Sequence, residues 1–129
     1  MKLSIVNPRG VVFEGDVEYV VVDGNNGQLA ILENHIPIVV PIKDGFIKKV
    51  TGNDEYYYKL SSGLLEQSNN VITVIAQEIG TGETLENAIA DLENIRKSQR
   101  EKNRHSEMDY AKVEKDLAKN IKEIQASKL

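Results

Sequence analysis

All nine glycines and all three prolines of this chain fall within its first 82 residues, and from Thr84 onward there is neither. Glycine supplies the positive-φ corners of tight turns, and proline is barred from helix interiors and central strands. The chain is therefore two kinds of polymer joined end to end. The first part is punctuated roughly every eight to ten residues by turn signals, which leaves room for short strands and none for long helices. The second part has nothing to interrupt a helix.

Along the first part, Leu3 and Ile5 alternate with Lys2 and Ser4, and Asn7-Pro8-Arg9-Gly10 has the composition of a turn. Val11 to Phe13 precedes Gly15, and Val17 to Val22 is rich in β-branched residues. Asp23-Gly24-Asn25-Asn26-Gly27 is the densest turn cluster. Lys43-Asp44-Gly45, Gly52-Asn53-Asp54, Ser61-Ser62-Gly63 and Asn69-Asn70 separate the later apolar runs, the last of which is Val71 to Ala76. Such spacing predicts an antiparallel β-sandwich or flattened barrel over residues 1–82.

The segment Gly27 to Ile42 is apolar, yet holds Pro37, Pro41 and one of two histidines. It reads as two short strands joined by a turn at Glu33-Asn34-His35, which would present polar groups from a greasy β unit. Loops held by a rigid scaffold are where binding commonly sits.

Beyond Gly80-Thr81-Gly82, Leu85, Ala88, Ile89, Leu92 and Ile95 recur at three and four residues, with Thr84 placed as N-cap. The pattern breaks at Asn103-Arg104-His105. Ser106 and Asp109 then open a second helix with the stripe Tyr110, Val113, Leu117, Ile121 and Ile124. Residues 83–129 thus read as an antiparallel α-helical hairpin. Its stripes are narrow, so it needs a surface to lie on, either the sandwich or a partner.

Charge narrows the function. The net charge is −4, carried entirely by residues 1–82, while Arg96, Lys97, Arg100, Lys102 and Arg104 form a local basic block. The balance argues against broad nucleic-acid binding. Tyr56-Tyr57-Tyr58 alternates in direction along a strand, which suits packing better than base stacking. Cysteine is absent, which removes disulfides, thiolate metal sites and thiol nucleophiles. No apolar run approaches the roughly 18 residues of a membrane span, and the N-terminal apolar block is too short for a signal peptide. A soluble chain is expected, with membrane association only through a partner.

No catalytic constellation emerges. There is no phosphate-binding loop and no dinucleotide fingerprint, and the glycines are better explained as turns. His35 and His105 lie in different modules without metal-ligand spacing. His35 beside Glu33 is more simply a turn histidine or a partner contact than an acid–base pair. Ser61-Ser62-Gly63 lacks the context of a nucleophile elbow. Neither cofactor nor metal is expected.

These residues are similar to those of a known family. Asn7-Pro8-Arg9-Gly10-Val11-Val12-Phe13-Glu14-Gly15, Gly27 to Ile42, Ser62-Gly63-Leu64-Leu65-Glu66, Asn70 to Ala76 and Asp109-Tyr110-Ala111 resemble, in order, motifs of the epsilon subunit of bacterial and plastid rotary ATP synthases. The resemblance implies a sandwich of about ten strands, a C-terminal two-helix domain and a non-catalytic place in the central rotor. Its implied partners are the gamma subunit, the c-subunit ring and, through the helices, the catalytic alpha/beta hexamer. Gln28, Glu33, Asn34, His35 and Pro37 would lie toward the rotor interface. Arg96, Lys97, Arg100 and Arg104, with Lys112, Lys115, Lys119 and Lys122, would be the basic contacts through which extended helices oppose ATP hydrolysis. The implied location is the cytoplasmic face of a bacterial membrane, or a thylakoid membrane in a plastid. A free-standing sandwich-and-hairpin module of another complex is the rival reading.

Two departures stand out. The family usually places Gly before the histidine, and this chain has Asn34, which tolerates a left-handed backbone. The nucleotide signature of some members needs an arginine where this chain has Ile89, so the isolated chain is expected to bind ATP weakly or not at all.

Overall fold

The structure, a computed structural model, describes residues 1–101. Ten strands appear: β1 (Lys2–Asn7), β2 (Gly10–Asp16), β3 (Tyr19–Asp23), β4 (Gln28–Ile31), β5 (Ile38–Lys43), β6 (Phe46–Thr51), β7 (Asp54–Leu60), β8 (Ser62–Ser68), β9 (Val71–Ala76) and β10 (Ile79–Gly82). They form two five-stranded sheets, ordered β2-β1-β9-β8-β5 and β10-β7-β6-β3-β4. A helix, α1, begins at residue 85 and continues to residue 101, where the described residues end. The β-sandwich followed by a helix is the architecture expected from the sequence. The second helix, from Ser106 through Ile124, lies outside the described residues.

Period-two alternation builds the core. Leu3 and Ile5 on β1, Ile72 and Val74 on β9, and Leu65 on β8 point inward from the first sheet. Val20, Val22, Ile31, Ile47, Tyr58 and Leu60 meet them from the second, and together these residues form one buried apolar cluster. The Tyr56 to Tyr58 run follows the same alternation. Tyr58 is buried with its ring 5.3 Å from Tyr56, whereas Tyr57 turns to the other face and packs 6.0 Å from Phe46.

Strand pairing is antiparallel except between β1 and β9, which run parallel with Leu3 opposite Ile72 and Ile5 opposite Val74. Local turn chemistry cannot encode that ladder, because almost the whole sandwich separates its strands. Among the described residues β5 pairs only with β8, as an edge strand. That explains how Pro41 sits within it, since the absent N–H leaves no ladder bond unmade on the open side.

The first turns of α1 are bound to the sandwich. The Thr84 hydroxyl accepts from the Asn87 N–H at 3.1 Å, the N-cap arrangement anticipated for it. Ala88 and Leu92 are buried, Leu85 and Ile95 half-buried, and Ile89 is exposed. A Cβ on Gly80 would collide with the Ala88 carbonyl and lie 2.5 Å from the Leu92 nitrogen. Glycine at this position lets α1 approach β10 closely. Asp91 Oδ2 accepts from the Thr81 N–H at 2.8 Å, occupying a donor on the outer edge of an edge strand. Residues Met1–Ile95 form one compact unit, and a second begins at Arg96.

Candidate functional site

Two surfaces of the sandwich are unlike the rest. The first is the loop between β4 and β5. These strands belong to different sheets, so the loop crosses the end of the sandwich rather than closing a hairpin. Its turn is closed by the His35 N–H, which donates to the Leu32 carbonyl at 3.2 Å. Asn34 adopts φ +65°, the left-handed conformation that asparagine accepts more readily than most residues.

Neighbouring strands hold this loop. The Asn34 N–H donates to Asn70 Oδ1 at 2.7 Å, and Asn70 Nδ2 donates to Asn34 Oδ1 at 3.2 Å. Gln67 Nε2 donates to the His35 carbonyl at 3.1 Å. His35 Nδ1 lies 2.6 Å from the Ile36 carbonyl, which can only accept, so that nitrogen carries a proton. The Asn34 and His35 polar groups are thus bonded within the protein, while Leu32 and Ile36 are 57% and 75% exposed.

The second surface is the outer face of the β2-β1-β9-β8-β5 sheet. Pro41 stands opposite Leu64, Leu64 opposite Ile75, Ile75 opposite Val6, and Val6 opposite Val11. Directly opposed residues share a face, so this is a continuous apolar row across all five strands. Val11 and Ile75 are 63% and 56% exposed, and Leu64 is also exposed. A shallow recess of about 380 Å³ borders the row, lined by Pro8, Gly63, Leu64 and Ile75 among others. The next row along the same face, Glu66, Thr73, Ser4 and Glu14 with Val39 at its edge, is mostly polar. The exposed apolar residues are therefore aligned in one strip beside a mostly polar row, not scattered singly over the surface.

A second recess, of about 800 Å³, opens between Phe13, Lys49 and Tyr56, with Asp16, Glu55 and Glu83 on its walls. Lys49 Nζ lies 3.4 Å from the centroid of the Phe13 ring and within 6 Å of Tyr56 and Tyr58. This cation–π contact ties β2 of one sheet to β6 and β7 of the other. Burial lowers the Lys49 pKa from its ordinary value. Burial, and then the neighbouring Tyr56, raise that of Tyr58. Among the described residues no cluster of three or more histidines and carboxylates is arranged to hold a metal ion. No described helix is long and apolar enough to cross a membrane.

The residues singled out by sequence divide into several groups. Glu33, Asn34, His35 and Pro37 come together on the β4–β5 loop. Gln28 is exposed at the far end of β4, opposite Asp23, and is separated from that loop by the length of the strand. Arg96 is half-buried on α1, with Lys97 and Arg100 exposed beyond it. Arg104, Lys112, Lys115, Lys119 and Lys122 lie outside the described residues, as does His105. Sequence reasoning missed Gln67, Asn70 and the apolar row. One signal for Gln67 was present: it stands in phase with the inward Leu65, at a position where a core residue would be apolar.

Comparison with known proteins follows the same division. Residues 1–82 match the family model of the ATP synthase delta/epsilon chain, beta-sandwich domain. Among solved structures, a chain of the Euglena gracilis mitochondrial ATP synthase in rotational state 1 superposes with a TM-score of 0.58 and 19% identity, over 77% of this chain and 61% of that one. A chain of the Tetrahymena thermophila mitochondrial ATP synthase central stalk and c-ring gives 0.51 and 11%, over 61% of this chain and 64% of the other. This chain thus spans about three-fifths of the length of each, and at these identities the likeness is one of fold.

Proposed function

This chain belongs to the ATP synthase delta/epsilon-chain family, whose β-sandwich domain spans residues 1–82, and on that premise we propose that it is a non-catalytic subunit of the synthase central stalk. Its sandwich docks on the other rotor components, the gamma subunit and the c-subunit ring, and so helps to couple proton transport to ATP synthesis. The observation that carries this reading is the apolar row from Pro41 through Leu64, Ile75 and Val6 to Val11. A face of this kind in water calls for a partner. The β4–β5 loop, with Leu32 and Ile36 exposed and Glu33, Asn34, His35 and Pro37 around them, provides a second contact. Association with the membrane is peripheral and comes through the complex, at the cytoplasmic face of a bacterial membrane or at a thylakoid membrane.

The segment from Arg96 onward supplies control. Its basic residues, beginning with Arg96, Lys97 and Arg100, suit an acidic surface of the catalytic hexamer and would restrain ATP hydrolysis there. Ile89 stands where nucleotide-binding relatives need an arginine, so this control does not depend on ATP bound to the chain itself.

The test is depletion and add-back. ATP synthase stripped of this subunit should regain coupled synthesis with the wild-type chain. The double variant Leu64→Glu/Ile75→Glu places two charges on an exposed face without entering the core. It should rebind roughly tenfold or more weakly, as loss of central apolar anchors does elsewhere. Rebinding equal to wild type would rule out the row as a contact.

A further inference from the structure

Gln67 is the one buried polar side chain among the described residues, at 1% exposure, and its Oε1 has no hydrogen-bond partner. A buried, unsatisfied acceptor is costly, and its inward position on β8 would accept a leucine of similar volume. Its orientation is not open to choice. The group facing the His35 carbonyl at 3.1 Å must be the donor, which leaves Oε1 on the unsatisfied side. The cost is therefore linked to one bond, and that bond holds the β4–β5 loop. Two residues beyond β8, Asn70 grips Asn34 of the same loop with two bonds, both asparagines being left-handed at φ +61° and +65°.

We propose that Gln67 and Asn70 are positioning residues for docking. Neither belongs to the exposed apolar surface of the loop, yet together they fix the backbone that presents Leu32 and Ile36 to the partner. Ordering a loop on binding consumes part of the interaction energy, whereas a loop ordered in advance avoids that loss. The clamp should therefore act on the lifetime of the complex more than on the stability of the fold. The inference rests on the reading of this loop as a stalk contact, so its test separates the two.

Three variants of the full chain are compared. Asn70→Gly removes the amide while keeping positive φ free of strain. Gln67→Leu removes the donor and the unsatisfied acceptor together. Leu32→Ser/Ile36→Ser alters the presented side chains alone. Amide hydrogen exchange at Asn34 and Ile36, thermal unfolding, and dissociation from ATP synthase stripped of this subunit are measured for each. For Asn70→Gly and Gln67→Leu the expected result is faster loop exchange and roughly three- to tenfold faster dissociation, the equivalent of one hydrogen bond. The melting temperature of Gln67→Leu should be unchanged or raised. Dissociation that stays at the wild-type rate in both clamp variants, while Leu32→Ser/Ile36→Ser dissociates faster, would overturn the clamp and leave the docking loop standing. Wild-type dissociation of Leu32→Ser/Ile36→Ser would overturn both. A melting temperature of Gln67→Leu that falls in step with its affinity would reduce Gln67 to a structural residue and also overturn the clamp.

Discussion

Asn34 and Asn70 stand 36 residues apart in the chain, yet each amide bonds the other's residue, Asn34 N–H to Asn70 Oδ1 at 2.7 Å and Asn70 Nδ2 to Asn34 Oδ1 at 3.2 Å. Both adopt the left-handed backbone. Each residue therefore fills two roles, satisfying a turn conformation and closing a tertiary contact. The roles can be separated by substitution. Asn34→Gly keeps the backbone and loses one bond, whereas Asn34→Ala loses the bond and adds the left-handed penalty of about 1–2 kcal/mol. Chemical denaturation of the full chain should rank the proteins wild type, then Asn34→Gly, then Asn34→Ala. Equal stability of the two variants would mean that the turn relaxes without cost.

Much of the fold was legible because the relevant signals are local. Turn residues marked the strand ends, alternation marked the inward face, and Thr84 marked the start of α1. The left-handed backbone of Asn34 was anticipated through the resemblance, whose family usually has Gly at that position. The parallel pairing of β1 with β9 and the assignment of β4 and β5 to different sheets were not readable, because both depend on segments far apart in sequence. The apolar row was hidden for the same reason. Val6, Val11, Leu64 and Ile75 each looked like ordinary strand residues, and Pro41 like an edge-strand proline, until the register placed them side by side. Asn70 was legible only as a turn residue and Gln67 only as part of a strand, and it is the tertiary structure that brings them against the loop.

Gly80 faces α1 with no room for a side chain, since a Cβ would collide with the Ala88 carbonyl and sit 2.5 Å from the Leu92 nitrogen. These are backbone atoms of a helix and cannot be moved singly. Gly80→Ala should therefore lift the first turns of α1 from β10 and break the Thr81–Asp91 bond. The expected loss is about 1–3 kcal/mol, the usual range for overpacking. Faster amide exchange at Thr81 would locate the damage. Wild-type stability would show that α1 can shift freely on the strand.

The aromatic cluster sets an alkaline limit. Tyr58 is 2% exposed, and burial raises its pKa above the ordinary 10.0. The folded protein then keeps the phenol proton while the unfolded chain releases it. Stability from this group is complete below pH 10.0 and is lost as pH rises toward the higher folded value. Lys49 has the opposite sign. Its pKa lies below the ordinary 10.5, so its contribution improves as pH rises to that value and is constant above it. Above pH 10.5 only the Tyr58 loss remains. Urea midpoints should fall there for wild type and much less for Tyr58→Phe. Parallel curves for the two proteins would remove Tyr58 as the cause.

The place where the chain is cut decides whether a truncation tests control or stability. Shortening it after Gly82 removes Ala88 and Leu92 from the core and uncovers Gly80 and the Thr81 N–H. Losing a buried leucine alone costs about 2–5 kcal/mol. Shortening it after Ile95 leaves those contacts in place and removes only the second unit, which starts at Arg96. The chain ending at residue 95 should melt close to the full-length protein, and the one ending at residue 82 well below it. Only the chain ending at residue 95 is therefore a clean probe of the basic segment. Returned to ATP synthase lacking this subunit, it should support assembly as the full chain does while ATP hydrolysis rises. Unchanged hydrolysis with intact assembly would mean that the residues from Arg96 onward do not restrain the enzyme. The same result with the chain ending at residue 82 would carry no such meaning, because the stability of the sandwich itself would have changed.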